Sequence, residues 1–242
     1  MNTDKIFNSL DSLASSLEKI KSSLKEKGFA VPDYAKYTDL VDILKNDQID
    51  SYVMVVTTDT EGNTSVSLYD KYCNITMYED VDTVDIYFGS RSSVSACEFC
   101  PSCKNCNIYG PCNISCTFQY ADSMEALLIN DEFNVPEYNN LFASCTGMKR
   151  LSLPDGFGGG AVDYSGMFKK CISLQQLDIR GKLQISNNLD LSYSPLSSGS
   201  VHTLLNALPV VEGCSLTLSE TAKNEIRAKD LDLVKSNGWS IS

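Results

Sequence analysis

A chain of 242 residues, 43% hydrophobic and 21% charged, is long enough to bury a core and too apolar to stay disordered. Its 20 basic and 31 acidic residues leave a net charge of −11, which gains no counterion release from nucleic acid and is repelled by anionic membranes. No apolar run approaches the roughly 20 residues that span a bilayer, and MNTDKIFNSLDSLASSLEKIK has no signal-peptide core, so synthesis in a cytoplasm is expected.

The first predicted element is a helix. Ile6, Leu10, Leu13, Leu17, Ile20 and Leu24 are separated by 4, 3, 4, 3 and 4 residues, the alternation of a coiled-coil seam. Leu10, Leu17 and Leu24 fall at a, and Ile6, Leu13 and Ile20 at d, a combination that favours three or four strands over two. The other reading is an amphipathic helix lying on its own domain. Gly28 and Pro32 end it, and Thr38 caps a second short helix carrying Leu40, Val41, Ile43 and Leu44. This helix, the KG-x-x-VP joint and the D-L-V-D-I-L helix resemble the N-terminal segment common in phage tail and fibre proteins. The resemblance implies attachment to a virion or to further copies, and residues 1–48 form that segment.

Residues 49–96 read as a β-hairpin and the strands leading from it. Two β-branched-rich runs flank Glu61-Gly62-Asn63, and VDTVDIYF from Val81 to Phe88 is a further strand and a candidate degenerate repeat unit. Cys97, Cys100, Cys103, Cys106, Cys112 and Cys116 come next. A zinc site normally takes two close pairs split by a longer spacer, absent here, and an iron–sulfur cluster lacks its Cys-Pro ending. Without a secretory signal, disulfides are also disfavoured. Cys97, Cys100, Cys103 and Cys106 remain the candidates for a metal, but a ladder of small buried side chains explains more, and no cofactor is expected.

That ladder belongs to a repeat. CPSCKNCNIYG (Cys100, Cys103, Cys106, Tyr109) precedes FQYADSMEALLI (Phe118, Ala121, Met124, Leu127, Ile129). FASCTGMKRLSL (Phe142, Cys145, Met148, Leu151, Leu153) and FKKCISLQQLDI (Phe168, Cys171, Leu174, Leu177, Ile179) complete it, with starts 18, 24 and 26 residues apart. Such recurrence predicts units that each cover the apolar face of the next. Apolar spacing of three suits a turn, and the closing L-x-L suits a strand. Cys103 is aligned with Ala121, Cys145 and Cys171, a position for a small side chain. The linker PDGFGGGAVDYSG lacks the setting of a phosphate loop and reads as a flexible connection between units.

MF-x-x-C-x-S-L-x-x-L-D-I and LF-x-x-C-x-x-M-x-x-L-x-L resemble the BspA-like leucine-rich repeats of bacterial surface proteins and their phages. The resemblance covers Phe118 to Ile179 and extends less fully to Cys100–Tyr109. It implies a short, irregular leucine-rich-repeat-like solenoid over residues 97–198, used for binding.

The tail, residues 199–242, predicts a helix over Ser200–Leu208 with Leu204, Leu205 and Leu208 on one face. A strand over Cys214–Leu218 is next, then a helix capped by Ser219, and a last helix that Asn237-Gly238 ends before Trp239 and Ile241. S-V-x-x-L-L-N-A-L-P, L-T-L-S and N-G-W-x-I are similar to the ending of BspA-like proteins in phages and prophages of gut bacteria, which implies a terminal cap.

The expected fold class is thus an α/β repeat: an N-terminal helical coiled coil, a leucine-rich-repeat-like solenoid and a C-terminal α/β cap. His202, the one histidine, lies in a predicted helix with no nucleophile motif around it, so no enzyme is expected. Asp122, Glu125, Asp131 and Glu132 are expected to face solvent, and the 12 tyrosines suit packing or a binding surface. The reading is a phage virion protein (tail fibre, baseplate or head fibre) that forms a homotrimer, contacts other virion proteins and presents its repeats to a host-surface glycan or protein. The alternatives are a BspA-like surface adhesin and a metal or redox protein built on the cysteines.

Overall fold

The structure is a computed structural model, and it describes residues 17–18, 21–22, 52–70, 72–76, 81–88, 93–98, 103–110, 113–114, 118, 121–130, 133, 138–160 and 163–242. Tyr52–Asp59 (β1) and Thr64–Asp70 (β2) pair antiparallel, with Thr58 opposite Thr64. Asp59 organises the reversal: its carboxylate accepts the backbone N–H groups of Glu61 and Asn63 and the Asn63 side-chain amide, while Gly62 takes a φ of 91°. Then come Tyr72–Thr76 (β3), Val81–Phe88 (β4), Ser93–Glu98 (β5), Asn105–Tyr109 (β6), Asn113–Ile114 (β7) and Ala126–Ile129 (β8). Arg150–Leu153 (β9), Gln176–Ile179 (β10) and Leu189–Leu191 (β11) complete this run.

A mixed seven-stranded sheet, ordered β10-β9-β8-β6-β4-β1-β2, dominates the molecule. Its β4, β6, β8, β9 and β10 run parallel, whereas β1 pairs antiparallel with both β4 and β2. Between β4 and β8 the chain alternates between this sheet and a three-stranded sheet of order β3-β5-β7. Ser198–Ala207 (α1), Cys214–Leu218 (β12), Glu220–Lys223 (α2), Ala228–Ser236 (α3) and Trp239–Ile241 (β13) end the chain. There β11, β12 and β13 make a parallel sheet of their own.

This architecture corrects the expected fold class. The body is an α/β fold built on one mixed sheet with three short helices among the described residues, rather than a coiled coil, a leucine-rich-repeat-like solenoid and a cap in succession. The physical cause is β1: paired to β4 on one side and β2 on the other, it fuses the hairpin into the same sheet as the repeat strands. No N-terminal coiled-coil helix is seen among the described residues. Of the seam positions, Ile6, Leu10, Leu13, Ile20 and Leu24 lie outside them. Leu17 is helical but only partly buried, while Lys21, outside the a/d stripe, is buried and paired with Glu18 at 2.9 Å. The second predicted helix also lies outside the described residues.

Parallel pairing places Val84, Cys106, Leu127, Leu151 and Leu177 in one row, each facing the core. Three residues earlier lie Val81, Cys103, Met124, Met148 and Leu174, all buried as well. Beyond the strands the turns stack too. Phe142 N–H donates to the Met167 carbonyl and Ser144 N–H to Lys169, while Lys149 and Gln175 N–H groups donate to Glu125 and Lys149 carbonyls. The Phe118, Phe142 and Phe168 rings stack at 5.8 and 5.5 Å between centroids, filling the space behind the strands.

Candidate functional site

Strand alternation gives the large sheet two unlike faces. Side chains pointing inward from β4, β6, β8, β9 and β10 are apolar and buried; those pointing outward are polar or partly exposed. The outward side chains form two transverse rows. One runs Thr83, Asn105, Ala126, Arg150, Gln176; the other runs Asp85, Asn107, Leu128, Ser152, Asp178. A groove of about 470 Å³ crosses both rows, bordered by Thr83 and Asn107 at one end and by Gln176 and Asp178 at the other. Such a volume falls within the range of small-molecule sites.

Within the second row the polar groups pair across strands. Asn107 Nδ2 donates to Asp85 Oδ1 at 2.7 Å, and Ser152 Oγ to Asp178 Oδ2 at 3.5 Å. Leu128 lies between these rungs and contributes, with Ala126, Leu127 and Leu151, to the apolar part of the lining. Burial pushes the Asp85 carboxyl above its ordinary range, and the Asn107 hydrogen bond offsets part of that rise. Further along the strands, Tyr87 and Tyr109 stack with centroids 4.6 Å apart and planes 8° from parallel. The Arg180 guanidinium donates to the Ile129 carbonyl and, at 3.5 Å, to Asn130 Oδ1, reaching back from the end of β10 to the end of β8.

The repeat-core residues lie on the other face of this sheet or behind it. Phe118, Met124, Leu127, Phe142, Cys145, Met148, Leu151, Phe168, Cys171, Leu174 and Leu177 are all buried. Cys145 Sγ donates to the Phe118 carbonyl at 2.9 Å, and Cys171 Sγ to Phe142 at 3.1 Å, the same contact one unit on. Desolvation raises both thiols to about 12, which keeps them protonated and poor nucleophiles or ligands at neutral pH. The series continues past the last residue of the repeat pattern: Ser194 Oγ donates to the Cys171 carbonyl and Ser219 Oγ to Ser194.

Cys103 departs from its expected place. Because Cys106 pairs with Leu127, Cys103 falls in the row of Met124, three residues past the small-residue position of Ala121. Its burial fits that apolar row. Cys97 lies in β5, and Cys100, Cys112 and Cys116 lie outside the described residues. Among the described residues no three His, Cys, Asp or Glu side chains gather to hold a metal.

The glycine-rich linker is likewise better anchored than a flexible connection. Phe157 is buried against Phe133, Tyr138 and Phe142, and Tyr164 Oη donates to the Gly158 carbonyl at 2.6 Å. Asp122 and Glu125 face outward but brace neighbouring turns, through Thr146 at 3.0 Å and Lys149 at 2.9 Å; Asp131 and Glu132 lie outside the described residues. His202 Nδ1 sits 3.0 Å from the carboxylate of buried Asp230, tying α1 to α3.

The outward rows are invisible to a reading that tracks apolar positions; their signal is the residue between the two apolar ones of each L-x-L. Among the described residues no helix is long and apolar enough to cross a membrane. Set against known families, characterised proteins and solved structures, the chain matches no family model, no curated protein and no solved structure.

Proposed function

We propose that this chain is a non-catalytic structural protein of a bacteriophage virion, a fibre, baseplate or head-fibre subunit that presents its sheet to a host-surface molecule. The observation that carries the binding role is the grooved polar face, held open across five parallel strands whose opposite side is filled by the core. The viral setting rests on the resemblance of Phe118–Ile179 and of the tail to BspA-like repeats of phages and prophages, and of the first 48 residues to virion-attachment segments. In this reading those first residues join the subunit to other virion proteins and to its own copies in a homotrimer, assembled in the host cytoplasm.

Mass spectrometry of purified particles, with sedimentation of the isolated protein, tests the proposal. The chain should co-purify with the particles in copy numbers divisible by three and sediment as a trimer. Its absence from particles overturns the virion role, and its presence on the bacterial cell surface instead would place it among the adhesins.

A further inference from the structure

We infer that the groove across the large sheet is a carbohydrate subsite that holds one neutral hexose-type ring over Leu128, between the polar rungs on either side. The inference rests on the binding role proposed above and gives that role a ligand class. Asn107, Leu128 and Ser152 sit in one row on the three adjacent strands β6, β8 and β9. Neighbouring strands lie about 4.8 Å apart, so the two polar side chains stand roughly 9.6 Å from each other with the leucine midway. A single saturated ring lying over the leucine, with hydroxyls turned to either side, matches that backbone interval.

The chemistry of the row selects the ring. A sugar hydroxyl both donates and accepts, and here donors and acceptors lie side by side: the carboxylate of Asp178, the amide of Asn107, the hydroxyl of Ser152. A carboxylate accepting from a sugar hydroxyl makes a charge-assisted bond, and Asp178 borders the groove on one side. The residues that line the groove include one acid, Asp178, and one base, Arg150, so the groove has no net charge to draw a phosphate, sialylated or acidic peptide ligand, which a chain of net charge −11 opposes. An extended peptide cannot add itself as a strand here, because β6, β8 and β9 are each hydrogen-bonded on both sides. The floor also lacks the aromatic anchor pocket from which protein interfaces draw most of their affinity. A C–H face over Leu128 with hydroxyls turned to Asn107, Ser152 and Asp178 uses the apolar and the polar groups of this row together.

The full-length protein, labelled and passed over immobilised neutral and sialylated glycans, provides the test. Neutral hexose-containing glycans should be retained, and Ser152→Tyr, which fills the groove, or Asp178→Ala, at its exposed border, should weaken retention at least tenfold with the melting temperature held. Retention unchanged in both variants, retention of sialylated glycans alone, or no retention of any neutral glycan overturns the inference. A virion protein that binds no neutral glycan loses this ligand class and keeps its proposed role; a glycan binder missing from virions does the reverse.

Discussion

Asp85 shows how the outer face lowers stability. A carboxyl whose folded pKa is raised holds its proton more tightly in the native state, so its ionisation disfavours folding. The contribution is absent below the ordinary value of 3.8, where both states are protonated, and grows as pH rises through the higher folded value. Asp59, Glu125 and Asp163 have the opposite sign: hydrogen bonds from Asn63, Lys149 and Ser165 lower them, and their stabilisation fades in acid. Comparing wild type with Asp85→Asn isolates this raised carboxyl. The variant should melt higher at pH 7, and the difference should close as pH falls below that ordinary value. A gap that stays constant across the titration would show that Asp85 is not penalised by burial.

At the scale of elements, each repeat unit is a turn leading into a short strand, and adjacent units are held by paired strands, stacked turns and stacked rings. Phe142 is fully buried and touches the rings of Phe118, Phe157 and Phe168. Phe142→Ala should therefore cost about 3–5 kcal/mol, seen as a lower denaturant midpoint. A loss under about 1 kcal/mol would mean that the units stand without the ring ladder.

These strands are legible in the sequence because Leu151-x-Leu153 and Leu177-x-Ile179 alternate, and so are the tail elements. Ser219 caps α2 by accepting from Ala222 N–H, and Gly238, at a φ of 81°, turns the chain from α3 into β13. Local chemistry fixes such features within a few residues. Other features are set at long range: that β1 joins β4, and that Cys106 rather than Tyr109 pairs with Leu127, depend on which strands meet. A unit of three cysteines at equal spacing is especially ambiguous, since a shift by three exchanges one thiol for another. The groove is hidden for a similar reason, because its polar side chains share a surface only after five strands align.

For the whole molecule, an open sheet must dispose of its edges, and the end at β10 shows how. The helix α1 packs beside that strand: buried Ser200 Oγ accepts the Leu177 N–H at 2.8 Å, and Ser197 N–H donates to the Gln175 carbonyl at 2.9 Å. Leu204, Leu205 and Leu208 carry the core onward from β10 toward β12 and Trp239, whose indole N–H donates to the Pro209 carbonyl. Without α1 and the elements C-terminal to it, β10 would offer unpaired backbone groups beside freshly exposed Leu177 and Ile179, a template for another chain. A chain truncated after residue 196 should consequently form large species on sedimentation and bind an amyloid dye, while the full chain does neither. Ser200→Val separates the edge from the core in the same assay. It keeps the helix but leaves the Leu177 N–H buried without its acceptor, so it should lower stability by about 1–3 kcal/mol without aggregation. A truncated chain that stays small and folded would show that the parallel strands need no cover on that side, and that α1 serves only the packing of the tail.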